Sequence, residues 1–412
     1  MEAGKKLDLL ALSSVPLVMT LGNSMLIPVL PIISKKLKVS SFQVSLIITV
    51  YSIVAIILIP IAGYLSDRYG RKAVMVPCLI IAGLGGVVSG WASWKMEDPY
   101  TAILLGRVLQ GIGSAGAAPV VMPLIGDMFK KDEEISAGLG LTETANTAGK
   151  VLSPIIGAAL AAYIWYLPFW FIPFFSAISV LLVIFLVKVP KKSEKEKQSF
   201  PSFLRCVKKI FKQEGRWLFA IFTIGCIIMF VLFGILFYLS DMLEKQYNIN
   251  GIKKGLVLAI PLLALSISSF FSGKKIGENQ QLMKMIMIIG MGLVALSFIA
   301  LRIQHSFVYL LSFLAVTGIG IGITLPSLDA MITEGIEKAE RGTITSIYSS
   351  MRFIGVALGP PVYSYIMNVS EHMIYYISAG CSLLAVIVVI LFIRPNKMSQ
   401  KDPHSNHMPK LA

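Results

Sequence analysis

Apolar runs of twenty or so residues, separated by short charged or glycine-bearing breaks, recur along the whole chain. A helix rises about 1.5 Å per residue, so about 20 mainly apolar residues cross a hydrocarbon core about 30 Å thick. Twelve such runs can be drawn, near 9–33, 42–64, 73–94, 101–126, 136–161, 166–188, 217–240, 255–273, 282–301, 306–332, 344–367 and 373–393. The only long break separates the sixth run from the seventh. It opens with a solvated charge run, Pro190 to Gln198, and continues with Phe200, Phe203, Leu204, Val207, Ile210 and Phe211 at helical spacing. Arg205, Lys208, Lys209 and Lys212 lie between them, the pattern of an amphipathic helix on an anionic inner leaflet that straps two halves together. The expected organisation is a bundle over residues 1–189, a cytoplasmic linker over 190–216, a second bundle over 217–394 and a tail over 395–412. The fold class is an all-α membrane protein of 12 transmembrane helices in two pseudo-symmetric six-helix bundles.

Composition agrees with a lipid-embedded chain: 56% of residues are hydrophobic and 14% charged, against about 25% charged in soluble domains. The net charge of +15 does not point to nucleic acid, because the basic residues cluster in short loops and no soluble part is large enough to present a binding face. With the N-terminus inside, the inward segments hold Lys5, Lys6, Arg68, Arg71, Lys72, Lys130, Lys131, nine basic residues between 191 and 216, Lys274, Lys275, Lys338, Arg341 and the basic tail. The outward segments hold only Lys35, Lys36, Lys38, Lys95, Lys245, Lys253, Lys254 and Arg302. Both termini are therefore expected in the cytoplasm and the protein in the cell membrane. Cys78, Cys206, Cys226 and Cys381 are scattered, as are the four histidines, so neither a metal site, a cofactor nor a disulfide framework is expected.

The halves resemble each other. Gly149-Lys-Val-Leu-Ser-Pro154 in the fifth run aligns with Gly355-Val-Ala-Leu-Gly-Pro360 in the eleventh, at an offset of 206 residues. Gly111-Ile-Gly113 corresponds to Gly318-Ile-Gly320, each followed by a proline, Pro123 and Pro326. Parallel repeats of this kind place a substrate site between the halves near mid-membrane.

Between the second and third runs stands Gly63-Tyr-Leu-Ser-Asp67-Arg68-Tyr-Gly70-Arg71-Lys72. An ordinary basic turn explains Arg68, Arg71 and Lys72, but not Asp67 or the spaced glycines. The decapeptide resembles the loop between helices 2 and 3 of the major facilitator superfamily of transporters. Three further patterns are similar to that family's 12-spanner drug:proton antiporters. Arg107-Val-Leu-Gln110-Gly111 matches a fourth-helix motif, and Gly149-Lys150-Val-Leu-Ser153-Pro154-Ile-Ile-Gly157-Ala158 matches the antiporter motif with Ser153 and Ala158 in place of glycines. Gly22-Asn23, followed by Pro28 and Pro31, resembles a broken first helix that lines the cavity. The resemblance covers nearly the whole chain. It implies a monomeric, proton-coupled exporter of a small molecule working by alternating access, with an uptake symporter on the same fold as the alternative. A non-transporting sensor would need a cytoplasmic module that is missing, and no nucleophile–base arrangement suggests an enzyme.

By this resemblance Asp67 and Arg71 latch the cytoplasmic side, with Asp67 meeting the Asp127 region and a basic residue of the eleventh run, Arg352 or Arg341. Arg107 and Gln110 are implied in proton coupling, the alternative being that Arg107 bonds backbone carbonyls of a neighbouring helix. Glu143, well inside the fifth run, is the best candidate for a proton carrier, the alternative being a static ion pair, whereas Asp127 and Asp329 are expected to close their spans as locks. Lys150 stands near mid-membrane, where ionisable groups are functional candidates by default. With Arg352 and Asn23 it is assigned to the substrate cavity. Three intramembrane cations, Arg107, Lys150 and Arg352, against one well-buried carboxylate suggest a substrate with acidic or polyphenolic oxygens, such as a siderophore. The alternative is that each cation is paired structurally.

Overall fold

The computed structural model describes residues 3–129, 132–189, 200–276, 279–303, 306–336 and 341–394. The charge run at 190–199 and the tail at 395–412 lie outside them. Among the described residues there is no strand, and the α-helices are α1 (Ala3–Ser24), α2 (Leu30–Leu37), α3 (Ser41–Tyr69), α4 (Arg71–Lys95), α5 (Tyr100–Met128), α6 (Asp132–Tyr163), α7 (Leu167–Leu186), α8 (Phe200–Lys245), α9 (Gly251–Ile276), α10 (Gln280–Ala300), α11 (Phe307–Gly335), α12 (Arg341–Val369) and α13 (Glu371–Phe392). α1 and α2, joined through a 3-10 turn at Ile27–Val29, make one broken span, so the chain crosses twelve times. The break falls at the expected Gly22–Pro31 stretch, where Pro28 and Pro31 cannot donate to an α-helical ladder.

The amphipathic stretch from Phe200 and the seventh span form one 46-residue helix. The junction, Gln213-Glu-Gly-Arg216, contains no proline, and a single glycine costs a helix only about 1 kcal/mol. At about 1.5 Å per residue α8 is far longer than the hydrocarbon is thick, so its first turns extend beyond it.

Burial orders the helices. In the apolar windows of the first and seventh spans, 78% and 72% of residues are buried, against 28% in α7 and 39% in α13. The first and seventh spans are thus the most buried of the spans compared, one in each half. Ten spans are apolar and uncharged enough to be recognised on hydropathy alone, and α6 and α12 are not among them. These two are the repeat equivalents at the 206-residue offset, and their polarity follows from position: they face the interior between the halves.

The halves touch along two long seams and, at one end, where α8 meets the 3-10 turn and α2. In the first, α3 packs on α12: Thr49 Oγ1 donates to the Ala357 carbonyl at 2.7 Å, and a Cβ on Gly63 would stand 3.0 Å from Ser346 Oγ. In the second, α6 packs on α9: a Cβ on Gly255 would stand 2.8 Å from Ile155 Cα and also meet the Pro154 carbonyl. The antiporter-like segment lies between α1 and α9. Gly149 faces Thr20 and Leu17 of α1, Gly157 faces the Met25 backbone, and Ser153 Oγ donates to the Gly149 carbonyl at 2.5 Å. Small residues on one side let α6 approach α1, while Pro154, Ile155 and Ala158 on the other meet Gly255.

This packing makes Gly157→Val a severe change, because the obstructing Met25 backbone cannot rotate away. Overpacking of this kind costs about 1–3 kcal/mol. A lower yield of monodisperse protein and a lower melting temperature in detergent are expected. Gly126→Ala, with open space around Gly126, should leave both unchanged.

Candidate functional site

The loop between the second and third spans is a single residue. α3 ends at Tyr69, α4 begins at Arg71, and Gly70 between them has φ +108°. No atom lies within 4 Å of a Cβ placed there, so glycine is required by the backbone rather than by space. The motif's charges therefore sit on helix ends. Arg71 pairs with Asp67 at 2.5 Å and with Asp127 of α5 at 3.3 Å, and donates to Ser66 Oγ at 2.7 Å. Lys72 donates to the carbonyls of Ile184 and Val187 at 2.8 and 2.9 Å, capping the end of α7. Arg68 donates to the Tyr64 hydroxyl at 3.2 Å. These ion pairs and bonds join helices of one half only. Across the halves at this level, Gly63 approaches Ser346. Of the two expected basic partners, Arg352 lies deeper in the protein beside Asp329 and does not meet Asp67, while the Arg341 side chain falls outside the described residues.

Arg107 is fully buried. Its Nε donates to the Ile47 carbonyl of α3 at 2.8 Å, Nη1 to the Gly22 carbonyl of α1 at 3.3 Å and to Gln110 Oε1, and Nη2 to Asn23 Oδ1 at 2.6 Å. The guanidinium also lies 4.5 Å from the centre of the Tyr51 ring, whose hydroxyl donates to Ser114 Oγ at 2.6 Å. Its hydrogen-bond partners among the described residues are all neutral. The break in the first span explains the site: Gly22 precedes the end of α1, and its carbonyl is taken up by the arginine. Asn23, assigned from sequence to the cavity, is 5% exposed and belongs to this cluster instead. Arg107 thus takes the geometry of the structural alternative, binding α1, α3 and α5.

The remaining charges converge elsewhere. Arg352 Nη1 of α12 lies 3.8 Å from Asp329 Oδ1 of α11, with side-chain exposures of 24% and 45%. Asp329 lies before the end of α11, which runs on to Gly335, so it does not close its span as expected; it joins the interior charges. Lys150 of α6 lies close enough to interact electrostatically with Glu143, Asp329 and Arg352. Glu143 accepts from Asn146 Nδ2 at 3.3 Å and Thr147 Oγ1 at 3.5 Å, and Asn146 Oδ1 accepts from Thr20 of α1 at 2.6 Å. The Tyr348 ring lies 5.6 Å from the Arg352 guanidinium, with Asp329 as a further neighbour. Each half therefore contributes one cation and one carboxylate to a space that solvent reaches. Sequence reasoning found three of these four charges and misplaced Asp329. A signal was available, since Asp329 and Arg352 occupy adjacent spans of the same half.

Two six-helix halves around a solvent-reached interior with charges of both signs define a multi-pass membrane carrier of small molecules. The chain belongs to the Major Facilitator Superfamily, whose family model matches residues 12–283 and 281–410. It is 62% identical over 395 residues to the bacillibactin exporter of Bacillus subtilis (strain 168), covering 96% of this chain and 98% of that protein. It is 23% identical over 401 residues to the class E tetracycline resistance protein of Escherichia coli, covering 92% and 93% of the two chains. Among solved structures, a bacterial homologue of the human lysosomal transporter Spinster, in an inward-facing and occupied conformation, shares the fold with a TM-score of 0.75 at 15% identity, over 97% of this chain and 99% of that one. These relatives are transporters, not enzymes.

Replacing Arg107 tests its role directly. Lysine lacks the planar fork, so Arg107→Lys should leave several of the four acceptors unmet, at about 1–3 kcal/mol each. A fall in melting temperature is expected together with lost transport. Lost transport at an unchanged melting temperature would instead return Arg107 to a coupling role.

Proposed function

We propose that this protein is a proton-coupled exporter of a siderophore, a small molecule rich in acidic or phenolic oxygens, across the cell membrane, with both termini cytoplasmic. The observation that carries the reading is the near full-length similarity to the bacillibactin exporter. The excess of basic residues in alternate loops supports the orientation. Lys150 and Arg352 are assigned to the substrate, and Glu143 with Asp329 to the proton.

The balance of charge in the interior narrows the chemistry. Two cations and two carboxylates make an ionised site of zero net charge, offering donors and acceptors together. A phenolic hydroxyl, whose pKa is about 10, is neutral at pH 7 and donates to a carboxylate while its neighbouring oxygens accept from lysine and arginine. Protonating Glu143 and Asp329 removes their charge and weakens those acceptors, so substrate and proton oppose one another, as antiport requires. A simple anion would behave in the opposite way. Protonated carboxylates would release Lys150 and Arg352 to it, binding would strengthen, and proton and substrate would travel together. Export in exchange for protons therefore favours the phenolic branch of the reading.

Alternation moves the two halves about this site. Here the outer ends are held together by Ser240 Oγ donating to the Ile27 carbonyl at 3.1 Å and by Gly255 against Pro154. The Asp67–Arg71–Asp127 cluster shapes the cytoplasmic ends of α3, α4 and α5, where α3 meets α12 through Gly63 and Ser346.

A deletion strain grown without iron should secrete several-fold less siderophore than its parent, and the chain should restore export in trans. Unchanged secretion contradicts the reading. In everted vesicles supplied with bacillibactin, Lys150→Gln and Arg352→Gln should raise the half-saturating concentration about tenfold, the scale of one lost charge-assisted hydrogen bond. Transport that persists after full collapse of the proton gradient would exclude proton coupling.

A further inference from the structure

The outward lysines run against the charge bias of the chain, and one of them has a specific use. Lys35 lies in the last turn of α2, at the outer end of the first span. That end is fixed within its own half: Ser34 Oγ donates to the Val39 carbonyl at 2.7 Å, and Val39 N donates back to the Ser34 carbonyl at 3.1 Å. Lys35 Nζ reaches across to the other half and pairs with Glu244 Oε1 of α8 at 2.7 Å. The second oxygen, Glu244 Oε2, pairs with Lys254 Nζ of α9 at 2.9 Å. Each carboxylate oxygen thus serves a different ammonium. Nearby on α8, Asp241 pairs with Lys245 at 3.0 Å.

The two arms of this arrangement differ sharply. The side chains of Glu244 and Lys254 are 5% and 1% exposed, whereas Lys35 is 63% exposed. Separating Glu244 from Lys254 would strand a charge in a dry interior, which is strongly unfavourable. Letting Lys35 go returns an already wetted ammonium to water, at little cost. The buried pair therefore keeps Glu244 ionised and aimed, and Lys35 is the arm that can detach.

We propose that the Lys35–Glu244 pair is the extracellular gate contact: it bridges the halves when the outer side is closed, as here, and breaks whenever that side opens, while Glu244–Lys254 stays joined throughout. The inference rests on the alternation of the two halves and not on the substrate, so it stands or falls separately from the siderophore assignment.

The test measures opening of the outer side without any substrate. In full-length protein with Cys78, Cys206, Cys226 and Cys381 replaced by serine, Ser240→Cys introduces one thiol at the buried outer seam. Right-side-out vesicles are treated with a membrane-impermeant maleimide, and only variants with the parental melting temperature are compared. Lys35→Glu, which sets two carboxylates against each other, should raise the labelling rate about fivefold; Lys35→Arg should return it near the parental rate. Lys36→Glu makes the same change of net charge on the exposed neighbouring residue and should leave the rate unaltered. Parental labelling in Lys35→Glu, or an equal rise in Lys36→Glu, would overturn the proposal. Glu244→Gln is unsuitable as the main variant, because it leaves Lys254 buried without its carboxylate.

Discussion

A hydrocarbon layer tolerates an ionised side chain only where protein or water replaces the lost hydration, and this constraint sorts the charged residues of the chain. Arg107 is held by backbone and amide oxygens from three helices. Glu244 and Lys254 are buried as a pair. Glu143, Lys150, Asp329 and Arg352 face the solvent-reached interior, and the basic residues of the second loop sit on helix ends. Each solution shapes a different part of the molecule: the packing of one half, the outer seam, the charged interior and the cytoplasmic rim.

Two helices carry both interior charges and contacts between the halves. α6 bears Glu143 and Lys150, and the small residues that follow them are packed between α1 of its own half and Gly255 of α9 in the other. α12 bears Arg352 and meets α3 at both Thr49 and Gly63. The interior charges and the two seams are therefore built on the same helices. The polarity that removes α6 and α12 from a hydropathy scan is the consequence of this double duty.

The fold was largely legible in the sequence because membrane spans announce themselves through local composition, and the break in the first span through its prolines. Partners were less legible, because they depend on which helix faces lie together. Arg107 could be placed inside the membrane from its position alone, but not the carbonyls of Gly22 and Ile47 that hold it. Asn23 was placed in the cavity for being polar in a broken helix, yet it serves Arg107. Arg352 was a possible partner for Asp67 because it lies on the right span, yet its depth sets it beside Asp329. The continuity of α8 was hidden by a change of composition that the backbone ignores. Lys35 counted in the sequence only as one of the outward lysines, because its partner lies across the seam on α8.

In the proposed mechanism, substrate and proton compete for the carboxylates of Glu143 and Asp329, and this competition would convert a rocking bundle into an exporter. Linkage makes the claim measurable without a membrane, since a ligand that displaces protons must release them on binding. The deciding measurement is the pH change when the siderophore is added to purified protein in weakly buffered detergent solution, at a pH where the carboxylates are partly protonated. Acidification in the parent protein that disappears in the Glu143→Gln, Asp329→Asn double variant is the predicted result. Saturable binding with no proton release in the parent, or with proton uptake, would contradict it.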